Sequence, residues 1–199
     1  MCIGVPGPYI KAEKNQALVA GYDNLQKIDI QKYFEDKFPF PVITEHDAHL
    51  SAFAEWKSMS QNERNKYNCM LALQSLGIGI GAGVVLNGKI VEGAFGVSGE
   101  IGQMGILFSG VKNSQGARGK LENYASSSSV KKYVRTRLFE FPESELSEES
   151  SYDQILQAYY ENDPLAVWAF DVIAWHLAYG LANTIFVINP GIIIIGPDY

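Results

Sequence analysis

Ile188-Asn189-Pro190-Gly191-Ile192-Ile193-Ile194-Ile195-Gly196 decides the fold class. Asn-Pro-Gly is a turn, and the four isoleucines after it are too short a run for a helix and lack the alternation of a half-buried strand. A continuous apolar run of this kind reads as a strand buried on both faces, the habit of parallel strands inside an α/β sheet. Ending on its most buried strand would leave a domain with uncovered sheet edges or faces. The 199 residues are therefore expected to be cut from something longer at both ends.

Working back from that strand, Pro164 to Ile188 reads as a long helix, apolar on more than one face and hence deeply packed, and Asp153 to Tyr160 as a second helix. The acidic, Ser-rich stretch from Glu140 to Asp153 is a solvated connector. Leu121 to Arg137 is helical but interrupted at Ser126 to Ser129, where the hydroxyls can cap a second segment. From Gly93 to Gly119 the sequence is loops with short strands. Met70 to Leu76 and Val84 to Leu86 are strands on either side of a glycine hinge, Gly77 to Gly83, and Asn87-Gly88 is a strong two-residue hairpin signal. Asp47 to Met59 is expected to be a helix with Asp47 as its N-cap and Leu50, Phe53 and Ala54 on its apolar face. Before it come a short strand, Phe40 to Thr44, a helix, Gln31 to Phe38, and loop or strand-edge material, Ala20 to Ile30. The chain opens on the tail of a strand running into a Gly/Pro turn, Cys2 to Tyr9.

With 47% hydrophobic and 19% charged residues the chain can bury a sizeable core and is not disordered as a whole. Sixteen Lys and Arg against 22 Asp and Glu give a net charge of -6 and no basic stripe, so these residues make no direct nucleic-acid contact. Two cysteines, Cys2 and Cys69, suggest neither a disulfide framework nor a Cys-based metal site. Runs such as Ile192 to Ile195 fall short of the ~18 apolar residues of a membrane span, and no signal peptide opens the chain. A soluble, cytoplasmic protein is expected.

Three segments could carry chemistry. Gly77-Ile78-Gly79-Ile80-Gly81-Ala82-Gly83 lies between two strands, where its amides could cradle a phosphate or serve only a tight hairpin. Glu45-His46-Asp47 sits at a strand-to-helix junction, a place from which side chains enter a cleft, although Asp47 could be a helix cap and nothing more. Ser98-Gly99-Glu100-Ile101-Gly102 sets a carboxylate among glycines. His176, in the apolar helix, reads as a satisfied core or boundary histidine.

Taken in order, Gly4-Val5-Pro6-Gly7-Pro8, Asp23-Asn24-Leu25, Pro41-Val42 with Glu45-His46-Asp47-Ala48, Gly79-Ile80-Gly81-Ala82-Gly83 with Asn87-Gly88-Lys89, Gly93, Gly96, Gly99-Glu100-Ile101-Gly102, Leu121-Glu122 with Tyr124-Ala125-Ser126, and Asn189-Pro190 with the Ile strand and Gly196 form a pattern that resembles the ROK family of repressors, open reading frames and sugar kinases. The resemblance implies an α/β, actin/hexokinase-like (ribonuclease H-like) fold of two lobes with a sugar in the cleft, incomplete at both ends. Residues 1–46 would be a remnant of the small N-terminal lobe and 47–199 the truncated large C-terminal lobe. In ROK kinases the Asp of an Asn-Asp pair is the general base for the sugar hydroxyl, and Asp47 matches it, whereas His46 replaces the Asn. Glu100 and Glu122 match the carboxylates that bind sugar hydroxyls.

The departures bear on mechanism. The family's zinc motif falls on Asn113 to Lys120, where the glycine frame survives and all three thiolates are gone, and its fourth ligand, a His, is Gln103. Amides and an ammonium do not hold Zn²⁺, so no metal is expected and the loop should be held by side-chain hydrogen bonds. The phosphate-facing Gly-Thr-Gly reads Gly77-Ile78-Gly79, a remnant of the phosphate loop together with Gly81, and the Asp-x-Gly-x-Thr motif would lie upstream of Met1. As written, the chain is not expected to phosphorylate a sugar. The resemblance favours the sugar-binding effector domain of a ROK-type transcriptional repressor, without its winged-helix part, with His46, Asp47, Glu100, Gln103 and Glu122 holding a hexose, amino sugar or sugar phosphate. No cofactor is expected in that case. The alternative is an ATP-dependent sugar kinase of the glucokinase or fructokinase class seen without its N-terminal phosphate-binding motif, in which alone ATP-Mg would serve and Asp47 would be the base; a third is a degenerate protein with no ligand. A homodimer is implied by the family, and no membrane partner.

Overall fold

The computed structural model describes residues 1–16, 25, 28–76, 79–113 and 116–196. Their elements are β1 (Cys2–Val5), β2 (Tyr9–Ile10), β3 (Asn15–Gln16), α1 (Ile30–Glu35), β4 (Ile43–His46), α2 (Asp47–Ser58), α3 (Gln61–Lys66), β5 (Cys69–Leu76), β6 (Gly79–Leu86), β7 (Lys89–Ile90), α4 (Glu122–Ala125), α5 (Ser127–Arg137), α6 (Tyr152–Tyr160), α7 (Pro164–Ile188) and β8 (Ile192–Ile195). Asp23, Asn24, Gly77, Ile78, Ser114 and Gln115 lie outside the described residues, and so does most of the stretch expected as loop before Ile30.

The chain divides into two compact units. Among the described residues, the first comprises those of Met1–Gln74, Gly81–Glu100 and Pro190–Gly196, and the second those of Ser75–Ile80 and Ile101–Asn189. In the first, β1 pairs in parallel with β4, Val5 opposite His46. A four-stranded sheet runs β7-β6-β5-β8, with β8 parallel to β5 and Met70 opposite Ile192. The isoleucine run is thus a parallel strand, but it is not sealed on both faces. It stands at the edge of the described sheet and Ile195 is 46% exposed. The β6–β7 turn is the expected hairpin, with Asn87 at φ 51° and Gly88 at φ 77°, the left-handed pair that matches strand twist.

Two expectations fail together. The glycines from Gly79 onward are not a hinge but the strand β6, and on α2 Leu50 and Phe53 are only half-buried while Ala54 is exposed. The buried residues of α2 are Ala48, His49, Ala52 and Trp56. A Cβ on Gly81 would stand 3.0 Å from the Ala48 Cβ, and one on Gly83 would stand 2.5 Å from the Ala52 Cβ. Small residues on both sides let the helix lie directly on the strand. Trp56 closes this contact in a core with Ala52, Met70, Ala72 and Val85, against which Ile192 and Ile194 pack.

In the second unit α7 packs on α4, α5 and α6. It starts as its sequence dictates, with Asp163 accepting from the Leu165 and Ala166 amides and Pro164 in the first turn, and it ends on Asn189 in the left-handed conformation. The serine run breaks the preceding helix into α4 and α5, and Ser126 sits between them without capping through its side chain. Only one stripe of α7 is buried, Leu165, Ala166, Ala169, Ile173, Leu177, Gly180 and Thr184, whereas Trp175 is 70% and Phe186 90% exposed. Deep packing on more than one face was the expectation, and composition alone could not tell which apolar face has a neighbour. By length and composition α7 is also long and apolar enough to cross a membrane, and its buried stripe makes it the core helix of its unit.

Candidate functional site

The junction between β4 and α2 carries the first cluster. Asp47 is the opening residue of α2 rather than its cap. The N-cap is His46, and Asp47 Oδ1 accepts from the Ala48 amide at 2.7 Å. An imidazole fits at the cap because Gly7 has no side chain, for a Cβ there would overlap His46 Nε2 at 2.0 Å. That Nε2 lies 3.3 Å from Asp47 Oδ1 and 3.9 Å from Glu100 Oε1, so three of the residues singled out in the sequence meet within one unit. Glu100 arrives on a loop whose Gly99, at φ 84°, backs onto β6; a Cβ there would be 2.3 Å from the Ala82 carbonyl oxygen. That glycine serves a close approach rather than flexibility.

Burial sets the protonation of this cluster. His46, with its side chain 5% exposed, is held down to about 4 by burial and by the neighbouring His49, against the pull of Glu45, and is neutral near pH 7. Its Nδ1 is buried and makes no hydrogen bond among the described residues. Burial also pushes the Asp47 carboxyl up, opposed by its backbone hydrogen bonds.

Around the junction lies a network the sequence reading missed. Burial alone would raise Glu45, but hydrogen bonds from His49, Lys11 and the His46 amide hold it at about 2. Lys11 Nζ reaches Glu45 Oε2 at 2.5 Å and Glu92 Oε1 at 2.6 Å, and His49 contacts Glu45 and the Ser98 carbonyl. The spacing of Glu45 and His49, four apart across a helix start, was visible in the sequence; nothing there pointed to Lys11.

The second unit holds Gln103 and Glu122. Burial raises the Glu122 carboxyl, while a hydrogen bond from Gln103 and the charge of Lys120 oppose the rise. Lys120 Nζ donates to Gln103 Oε1, so two positions of the family's zinc set hydrogen-bond to each other. Across the loop, Asn113 Oδ1 accepts from the Ala117 amide at 2.9 Å. The glycine frame persists for backbone reasons, since Gly116 and Gly119 have positive φ and a Cβ on Gly119 would be 1.7 Å from the Leu107 carbonyl oxygen. These donors do not fit zinc, and no group of three or more His, Cys, Asp or Glu among the described residues could hold a metal ion. Of the phosphate-loop remnant in this unit, Gly79 is described. Its carbonyl accepts from Ser75 Oγ, which in turn accepts from the Ser127 amide at the start of α5. His176 bonds the Val172 carbonyl and stacks on Tyr124, the satisfied role expected of it.

A protein-family model described as the ROK family matches residues 1–198. The chain is 33% identical over 194 residues to the xylose repressor of Bacillus spizizenii, across 97% of this chain and 46% of that protein. It is 29% identical over 204 residues to the glucokinase of Halalkalibacterium halodurans, across 98% and 59% respectively. A ROK family glucokinase from Streptomyces griseus, solved with glucose and AMPPNP, matches with a TM-score of 0.83 at 25% identity, over 97% of this chain and 63% of that one. A ROK family transcriptional regulator, a homologue of the E. coli MLC protein, matches with a TM-score of 0.83 at 27% identity, over 99% and 49%. The chain therefore spans about half the length of the repressors it matches. The fold is the α/β, actin/hexokinase-like fold of these proteins. On a family match that runs the length of the sequence, the chain belongs to the ROK family.

Proposed function

We propose that this chain is the sugar-binding effector domain of a ROK-family transcriptional regulator. The observation that carries the reading is the convergence of Asp47 and Glu100 on one edge of a neutral, buried His46. Two carboxylates side by side can each accept hydrogen bonds from neighbouring hydroxyls, and the imidazole between them fixes their spacing. The 33% identity to a xylose repressor supports a regulator. So does the chemistry of Ile78, whose hydrocarbon offers phosphate no donor. In this reading Glu122 takes the sugar-binding role that the family gives it and Gln103 joins it as a sugar ligand, no zinc is held, and the protein acts in the cytoplasm as a homodimer with its DNA contacts outside these residues.

One observation favours a sugar kinase instead. Asp47 is retained, and burial raises its carboxyl in the direction a general base requires. The deciding experiment measures melting temperature with D-xylose, D-glucose, N-acetylglucosamine and glucose 6-phosphate, and ADP release with each sugar plus ATP-Mg. A ligand at ~100 times its dissociation constant adds about 2.7 kcal/mol, or roughly 5 to 10 °C in a chain of this size. Stabilisation without ADP release supports the effector domain, sugar-dependent ADP release moves the assignment to the kinase, and no shift with any sugar refutes both.

A further inference from the structure

His49 is the buried group that the sugar reading leaves unused, and both atoms it meets are acceptors. Its Nδ1 is 3.2 Å from Glu45 Oε1 and its Nε2 is 2.9 Å from the Ser98 carbonyl oxygen. A carbonyl has no proton to give, and Glu45, held at about 2, has none near neutral pH. Both ring nitrogens must then carry hydrogen, which makes His49 an imidazolium with no exposed surface. Its charge is compensated on the spot: Glu45 binds it and also Lys11, and Lys11 binds Glu92. The chain Lys11, Glu45, His49, Ser98 thereby joins three segments: the turn after β2, the β4–α2 junction and the loop that bears Glu100.

We propose that His49 is a positioning residue for the site at His46, Asp47 and Glu100, its two N–H donors locking the helix that begins at Asp47 to the loop that carries Glu100. The proposal rests on the sugar-binding reading above. It has a pH signature, because a neutral imidazole has one hydrogen for two acceptors and must release one of the two ties. The charged and titratable groups facing His49 are Glu45 and His46 from β4, with the His46 ring edge-on at 5.0 Å, Asp47 from its own helix, and Lys11 from the turn after β2, with Glu92 behind it. Burial and Lys11 act against the proton; Glu45 and the Ser98 carbonyl outweigh them and hold the ring's pKa above its ordinary 6.5. Sugar affinity should therefore be fullest below pH 6.5 and fall as the pH rises through the ring's elevated value.

The test uses the 199-residue chain with D-xylose and D-glucose as probes. Nitrogen-15 NMR of the histidines without sugar should show both His49 nitrogens protonated at about pH 7. Calorimetry from about pH 6 to about pH 9 should show wild-type affinity falling with rising pH. His49→Gln, which keeps one donor group, should bind about tenfold more weakly at the low end, the loss of one charge-assisted hydrogen bond, and should lack that pH dependence. A neutral His49 tautomer in the NMR spectrum overturns the proposal whether or not the variant folds. Wild-type affinity and pH profile in His49→Gln overturn the positioning role alone, leaving sugar binding intact, whereas failure of both sugars to bind the wild type overturns the sugar reading and this role with it.

Discussion

Replacing Gly83 by alanine tests the contact that fixes the site's helix. The new Cβ would stand 2.5 Å from the Ala52 Cβ, 2.9 Å from the Ala48 carbonyl oxygen and 3.3 Å from the His49 Cα. Carbon atoms rest about 3.5 to 4.0 Å apart, so α2 must retreat by roughly 1 Å. None of the three atoms is the far end of a flexible side chain that could swing aside. The retreat would loosen Ala52 and Trp56 from Met70, Ala72 and Val85. Overpacking of this kind costs about 1 to 3 kcal/mol and the geometry puts Gly83→Ala at the upper end, while restricting the unfolded chain returns about 0.4 to 1 kcal/mol. The net expectation is a loss of about 2 kcal/mol, or roughly 4 to 8 °C in melting temperature. Gly81→Ala, 3.0 Å from the Ala48 Cβ, should lose less, and Gly105→Ala, with nothing within 4 Å, should be neutral or slightly stabilised. Urea denaturation followed by circular dichroism orders the three. If Gly83→Ala proves as stable as Gly105→Ala, α2 does not lie directly on β6 and the packing argument is wrong.

Further outcomes follow from individual residues. Because His46 is depressed to about 4 in the fold against an ordinary 6.5, the unfolded chain binds the extra proton between those values, and wild type should lose about 3 kcal/mol as the pH falls from 6.5 to 4. His46→Asn should lack that part of the acid slope in urea denaturation, and parallel slopes would contradict the burial argument. Glu45 acts lower on the scale: its depressed pKa supplies stability above 4.5 that disappears as the pH falls towards 2, so Glu45→Gln should flatten the curve in that window. If amides and an ammonium hold the former zinc loop, a strong chelator should leave the melting temperature unchanged, while Asn113→Ala should cost about 1 kcal/mol; a drop on chelation would refute a metal-free loop. Gly88→Ala, at φ 77°, should cost about 1 to 2 kcal/mol in the same denaturation assay through left-handed strain, and an unchanged midpoint would argue against the turn geometry.

Local signals in the sequence were legible where the chain reports on itself. Asn87-Gly88, the helix start at Pro164 and the serine break after Ala125 all act within a few residues, and the structure has each of them. Signals that depend on a distant partner were misread. The glycines of β6 looked like a hinge because their reason lies some 30 residues earlier, in Ala48 and Ala52. The same small-on-small contact sets Ala48 and Ala52 of α2 against β6, rather than the face that periodicity favoured. For α7, apolar composition on several sides was read as burial, yet hydrophobicity fixes only which faces can be buried, and the neighbours decide which are.

The site divides along the same line. His46, Asp47 and Glu100 could be named from sequence because a strand-to-helix junction and a carboxylate between glycines are local features. What holds them in place could not, because each restraint comes from elsewhere in the chain: Gly7 leaves room for the His46 ring, Gly99 lets the Glu100 loop approach Ala82, and Lys11 neutralises Glu45 beside the His49 imidazolium. A carboxylate on a Gly-rich loop would ordinarily have to be ordered when a ligand arrives, at a cost in binding free energy. Here Gly99 is committed to packing against β6, and Ser98, next to it, is tied to a buried charge on the helix that begins at Asp47. Under the proposed sugar-binding role, a Glu100 loop already anchored at Gly99 and Ser98 would let the free energy of its hydrogen bonds appear as affinity rather than be consumed in ordering the loop.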